Sequence, residues 1–491
     1  MRFRQHFVVT AVLVGSWISG AHPTPTVAEQ ALEPQAREAM ARAVRFFRTE
    51  VASRGGYLWR YSEDLKFREG EGKADADTIW VQPPGTPSIG LAFLQAWRAT
   101  GQREYLAAAR ETGEALIRGQ LRSGGWTYQI HFDDARRAKF AYRVEPETPG
   151  THNTTTYDDD TTQAALRFLM ELDQAREFAD QAVHETVGYG LDAVLKAQYP
   201  NGAWPQRYNR FPDPDKFPIR RASYPDDWPR TFPSRDYSSD YTFNDSAIND
   251  LITTLLQAAR IYNEPRYHAA VERAGDFILL AQMPEPQPAW AQQYDVNMHP
   301  VWARKFEPPA ITGGESHSAM RSLLQLYRET GNPKWLEPLP QAIAYLRRSQ
   351  LPDDKLARFY ELHTNRPLYF TRKYELTYND DDLPTHYAFR VHNGVEAIAA
   401  EYERLKAADQ ATLERMRNTA DPKLTEELTR QARTVIAALD EQGRWVETGR
   451  LRYHGDDHPT RRVIDCATFA RNLGILANYI TAAQATATSQ P

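Results

Sequence analysis

Apolar residues recur at three- and four-residue spacing through most of the chain, and alternation with period two is scarce. "TPSIGLAFLQAWRATGQREYLAAARETGEALIRGQL" reads as a helix, a turn at Gly101 and a second helix. "TTQAALRFLMELDQAREFADQAVHETVGYGLDAVLKAQ", "DSAINDLITTLLQAARIYNEPRYHAAVERAGDFILLAQ" and "ESHSAMRSLLQLYRETGNPKWLEPLPQAIAYLRRSQ" repeat that design. After each pair comes an aromatic loop: "GGYLWRY", "GGWTYQI", "NGAWPQRY", "PAWAQQY", and the weaker copies "LARFYELHTN" and "GRWVETG". Aligned on Trp59, Trp126, Trp204, Trp290, Phe359 and Trp445, these loops mark a helix-pair repeat. The pattern predicts an all-α protein, an α/α toroid whose inner and outer helices ring one axis, with loops and short strands gathered at one rim. The segment 206–241 breaks the pattern with prolines and charges and reads as a long surface excursion over that rim.

Composition narrows the function classes. Charged residues are 25% and apolar residues 41% of 491, enough for a sizeable core. A formal net charge of −5 gives no electrostatic case for nucleic acid or an anionic membrane as partner. The N-terminus, "MRFRQHFVVTAVLVGSWISGA", has two arginines, a short apolar run and small residues, the pattern of a signal peptide over 1–21. A disordered start over 22–30, one catalytic domain over 31–485 and a disordered tail over 486–491 complete the expected organisation, in a secreted or periplasmic monomer. Cys466 is the single cysteine, so no intrachain disulfide forms; its apolar surroundings predict a buried small hydrophobe.

No zinc pattern, phosphate loop, dinucleotide fingerprint or nucleophile elbow is present. Acidic residues instead cluster before helices: Asp158, Asp159 and Asp160 in "TTYDDDTTQ", and Asn244 and Asp245 in "YTFNDSAI". One aspartate there is a helix cap; three exceed that need, and hard oxygen ligands of this kind suit Ca²⁺. From spacing alone, capping or a solvated acidic loop remains the simpler reading. "PVWARKFEPPAITGGES" brackets Arg304 and Lys305 with prolines just before another helix, and "ARFYELHTNRPLYFTR" adds Arg358, Arg366 and Arg372. Carboxylates, arginines and aromatics on one rim would suit an anionic sugar chain bridged by a divalent cation.

The runs "TYDDDTTQAALRFL", "QYPNGAWPQRY", "YTFNDSAI", "WARKFEPPAITGGES" and "ARFYELHTNRP" resemble, in order and over roughly 150–375, polysaccharide lyase family 10, the pectate or pectic acid lyases. The resemblance implies Ca²⁺-dependent β-elimination on α-1,4-polygalacturonate or pectin-derived oligosaccharides. It implies Arg304 as the base, Asp158 and Asp245 at the metal, and Asp159, Arg358, Arg372 and Trp204 as substrate contacts. Neighbouring cations and desolvation are expected to lower the Arg304 pKa. The chain departs from the family in carrying Asp159 where Asn is usual, in its longer loop before "YTFND", and in extra helical material at both ends. An inverting glycoside hydrolase, with Asp245 and Glu315 as its carboxylate pair, and a non-catalytic polyuronate-binding protein are the alternatives.

Overall fold

The computed structural model describes residues 32–417 and 421–488. The expected signal peptide and the 22–30 segment lie outside the described residues. The long helices are α1 (Leu32–Phe46), α2 (Thr86–Thr100), α3 (Arg103–Ile117), α4 (Thr161–Ala175), α5 (Gln181–Ala197), α6 (Ala247–Tyr262), α7 (Pro265–Ala281), α8 (Gly313–Thr330), α9 (Leu339–Arg348), α10 (Val395–Lys406), α11 (Gln410–Arg417), α12 (Glu426–Ala437) and α13 (Cys466–Thr488). The last runs three residues past the expected end of the domain at 485.

Burial sorts these helices into two layers. In α4 nearly every residue from Thr161 to Asp173 is buried, as an inner helix surrounded by protein requires. In α9 the buried residues are Leu339, Ala342, Ile343, Tyr345 and Leu346, the single stripe of an outer helix. The inner helices pack side by side in the order α13, α2, α4, α6, α8, and α10 packs on α8 and α9. Helices α3, α5, α7 and α9 back their inner partners, while α1 and α12 cover α13. The molecule is therefore an α/α toroid.

Each repeat is tied at the rim by a short antiparallel pair. The strand before an inner helix pairs with the strand after its outer helix: Thr78–Trp80 with Gln129–His131, Thr155–Thr156 with Arg207–Tyr208, Tyr241–Thr242 with Gln293–Tyr294, and Ala310–Thr312 with Phe359–Glu361. The same unit is assembled across the termini, where Arg462–Asp465 before α13 pairs with Arg60–Ser62 after α1. That repeat is thus assembled from two halves at opposite ends of the chain.

The aromatic loops act as plugs. The indoles of Trp126, Trp204, Trp290 and Trp445 donate to the carbonyls of Leu116, Val194, Ile278 and Val435, satisfying groups that the ends of the outer helices leave orphaned. The expected alignment through Trp59 and Phe359 is corrected here. The hydroxyls of Tyr61, Tyr294 and Tyr360 each accept from the backbone N–H three residues earlier, at Leu58, Ala291 and Ala357. These bonds place Tyr57 and Leu356, not Trp59 and Phe359, in register with Trp290. Gly124 and Gly202 open two of the loops at φ 110° and 95°, where a Cβ would also strike Ala193 and the Arg273 carbonyl of the next outer helix.

Candidate active site

The two acidic motifs fold into the same turn in consecutive repeats. Thr156 Oγ1 accepts from the N–H of Asp158 at 3.1 Å, and Thr242 Oγ1 from that of Asn244 at 3.0 Å. The next two residues in each turn are left-handed: Asp159 and Asp160 at φ 49° and 59°, Asp245 and Ser246 at 47° and 62°. The turns thus make Asp159 and Asp245 structural equivalents. Neither Asp160 nor Ser246, at the N-cap positions of α4 and α6, makes a side-chain cap hydrogen bond; Asp160 pairs with Arg167 instead. Capping does not account for these aspartates.

Asp158, Asp159 and Asp245 bring one carboxylate oxygen each to within 4.8 Å of one another. Asp158 is 7% exposed. Its Oδ2 accepts from Tyr128 Oη at 2.7 Å and Arg207 Nη2 at 2.8 Å, while its buried Oδ1 has no partner. Burial opposes the charge on Asp158, but the bonds from Tyr128 and Arg207 outweigh it and hold the carboxyl below its usual range. Desolvation, with the charges of Asp158 and Glu71, pushes Asp159 up to about 6. Asp245 is surface-exposed as a residue, yet the rim around its carboxyl withholds water and, with Asp158 and Asp159, pushes it up to about 7. Because exposure limits desolvation, the like charges are the cause of most consequence there.

Facing the triad are two arginines. Arg304 forks onto buried Glu307, with Nε to Oε2 at 2.8 Å and Nη2 to Oε1, and Glu307 Oε2 also accepts the Arg304 backbone N–H at 3.0 Å. The prolines frame this turn, and Glu307 is what orients the side chain. The expected lowering of the Arg304 pKa is reversed. Burial opposes the charge, but Glu307, Tyr387 and Asp245 outweigh it and hold the guanidinium more firmly protonated than usual. Arg358 lies 4.5 Å over the Tyr387 ring, donates to the Ala388 carbonyl at 2.7 Å and to Tyr387 Oη at 3.2 Å, and sits 3.5 Å from Glu315. Asp245 acts on both arginines and so bridges the two halves of the site. Lys305 turns away onto the Tyr374 ring at 3.6 Å.

Two expected contacts are otherwise engaged. Trp204 is 1% exposed and spends its indole N–H on Val194, because the plug position faces the core and not the rim surface. Arg372 pairs with Asp382 at 3.2 Å in the turn of a hairpin whose Tyr374 stacks on Phe306 at 5.8 Å, so it flanks the Arg304 loop with its charge already spent on a carboxylate. Tyr128, Arg207, Glu307 and Tyr387 were not foreseen. Tyr128 and Arg207 follow plug tryptophans by two and by three residues, within loops the sequence marks as repeats, but at different positions of the repeat. The 206–241 excursion is pinned beside this site: Trp302 Nε1 donates to the Pro229 carbonyl at 2.8 Å and Arg235 to the Trp302 carbonyl at 2.9 Å.

The rim of this toroid gathers carboxylates and arginines, groups that suit an anionic sugar chain. Residues 120–355 match the family model described as pectic acid lyase. No curated protein matches the sequence. Among solved structures, a family 10 polysaccharide lyase from Cellvibrio cellulosa in complex with trigalacturonic acid is 18% identical, covering 65% of this chain and 98% of its own, at a TM-score of 0.45. A D-mannose isomerase is 14% identical, covering 93% and 98%, at 0.43. A glycoside hydrolase family 76 mannosidase from Bacteroides thetaiotaomicron is 10% identical, covering 93% and 99%, at 0.44. At these scores none of the three bears on function.

Proposed function

We propose that the chain cleaves α-1,4-polygalacturonate by cation-dependent β-elimination at this rim, as a secreted or periplasmic monomer. The observation that carries the reading is the buried, unpartnered Asp158 Oδ1 within a triad of carboxylates that faces Arg304 and Arg358. A hard divalent cation such as Ca²⁺ fits that donor set, with Asp158, Asp159 and Asp245 as its ligands. When bound, such an ion neutralises a uronate carboxylate and so acidifies the C5–H beside it. Arg358, held by Tyr387 and Ala388, would orient the carboxylate of the reacting sugar or its neighbour. Arg304 is the group placed to accept the C5 proton, after which the C4–O bond breaks and a 4,5-unsaturated end is left. In that role it must first give up a proton that Glu307 holds in place, so turnover should climb through the alkaline range. Among the described residues no helix is long and apolar enough to cross a membrane; export rests on the N-terminal sequence pattern.

The test is ultraviolet absorbance of polygalacturonate mixed with the protein, with added Ca²⁺ and with chelator. Unsaturated ends that appear with Ca²⁺ and vanish with chelator are the expected result. Reducing ends without that absorbance would mean hydrolysis, and binding without either would mean a capture protein.

A further inference from the structure

Residues 57–82 and 445–465 lie outside the matched stretch, yet they complete the same rim. Their strands form one five-stranded sheet in the order Val446–Thr448, Arg462–Asp465, Arg60–Ser62, Arg68–Glu69, Lys73–Ala74. The connection between the first two strands is anchored to this sheet. Glu69, 2% exposed, accepts the backbone N–H groups of Arg452 at 3.0 Å and Tyr453 at 2.9 Å, and His454 Nε2 meets the Arg68 carbonyl at 3.1 Å.

Connection and sheet enclose a cleft of about 580 Å³ whose charged lining is Arg60, Glu447, Arg450, Arg452, Asp456 and Arg461. Arg60 is neutralised by Asp465 at 2.7 Å, and Glu447 accepts from Thr468 Oγ1 at 2.7 Å. Among the described residues the side chains of Arg450 and Arg452 make no ion pair, and that of Arg461 bonds only to the carbonyls of His458 and Thr460. A lone exposed arginine is ordinarily just solvated. Three in one concave, anchored cleft, mixed with carboxylates, match a ligand that carries both carboxylates and hydroxyls. Tyr453, on the same turn, is 41% exposed. The strands that wall the cleft are the rim pair of the α1/α13 repeat, at the same end of the toroid as the strand pair beside the triad.

We propose that this cleft is a distal binding site for an anionic oligosaccharide, gripping uronate units remote from the one that reacts. Uronate carboxylates accept from Arg450, Arg452 and Arg461; sugar hydroxyls donate to Glu447 and Asp456; Tyr453 offers a ring face beside them. The proposal rests on the polyuronate reading above, and it assigns the chain's terminal segments a part in recognition as well as in the fold.

The experiment is calorimetry of the full chain carrying Arg304→Ala, so that substrate persists, against oligogalacturonates of increasing length and against a fully methyl-esterified chain. Affinity should step up once the chain is long enough to reach the cleft. Adding Arg450→Ala and Arg452→Ala should abolish that step, a loss of roughly tenfold, while leaving trisaccharide affinity and binding of the uncharged ester unchanged. Arg461→Gln, which removes only carbonyl contacts, should weaken the step in the same direction and covers the case in which the double variant fails to fold. A length-independent affinity, or an unchanged step in the folded variants, overturns the proposal. Unsaturated product from the protein without Arg304→Ala is read beside it: its presence with no step sinks only the distal site, and its absence sinks the lyase reading.

Discussion

Asp159 and Asp245 hold left-handed backbone, which costs of order 1–3 kcal/mol each for a residue other than glycine. The return on that strain is two carboxylates turned toward Asp158, with their pKa values pushed up to about 6 and about 7. Folded, cation-free protein therefore binds protons that the unfolded chain has already released, and stability is lost as pH rises from about 4 through about 7. Added Ca²⁺ should raise the thermal midpoint far more at pH 8 than at pH 5; equal shifts would remove these aspartates from the cation site. Asp159→Asn should fold and bind Ca²⁺ more weakly, with a shallower pH dependence by calorimetry. Glu307→Gln tests the base. Without that charge the Arg304 guanidinium loses its proton more readily, so the alkaline rise of kcat should move to lower pH while unsaturated product still forms. If kcat keeps its pH profile and only KM rises, Arg304 holds a carboxylate and the base is another group. Arg304→Ala should cost about 10²–10⁴-fold in turnover, with polygalacturonate affinity nearly kept.

At the scale of elements, the hairpin that ends each outer helix does two jobs with neighbouring residues. One residue plugs the helix end, and those two or three further on reach the rim, as Trp126 and Tyr128 or Trp204 and Arg207 show. Trp204→Ala should accordingly destabilise the fold by about 3–5 kcal/mol in denaturant titrations and leave the polygalacturonate affinity of the folded fraction unchanged. A folded, stable Trp204→Ala protein with weakened binding would restore Trp204 to the substrate. Arg207→Ala should do the opposite: little loss of stability, but reduced Ca²⁺ affinity, because Asp158 loses a bond that keeps it ionised.

The whole molecule is held by the repeat assembled across its termini. Phe469 of α13 stacks on Phe47 with ring centroids 3.5 Å apart and meets Phe93 of α2 edge-on at 5.9 Å, joining both ends of the chain in one core. Phe469→Ala should cost about 3–5 kcal/mol and lower a single calorimetric transition for the entire toroid. A transition that splits in two would show that the ring is not one cooperative unit.

The helix pairs, their turns and the aromatic repeat were legible in the sequence because each follows from local periodicity and from chain-breaking residues. Five motifs in order also carried the resemblance to pectic acid lyases and pointed to Asp158, Asp245, Arg304 and Arg358, which the fold gathers at one rim. Partnership was not legible. Trp204 and Arg372 match family motifs, yet one faces the core and the other pairs with Asp382 beside the Arg304 loop, since a motif does not say which way a side chain points. The copies at Trp59 and Phe359 were misaligned because register is set by backbone bonds to Tyr61 and Tyr360, which pattern alone does not record. Glu307 was three residues from Arg304 in plain view, but only the folded turn shows that it forks onto the guanidinium and reverses the expected pKa. Tyr128, Arg207 and Tyr387 reach the site from three separate loops. What the sequence by itself determined was the toroid and its likeness to the pectic acid lyases, through local pattern. What only the tertiary structure decided was which charges meet, because that depends on loops far apart in the chain being brought to one rim by the packing of the toroid.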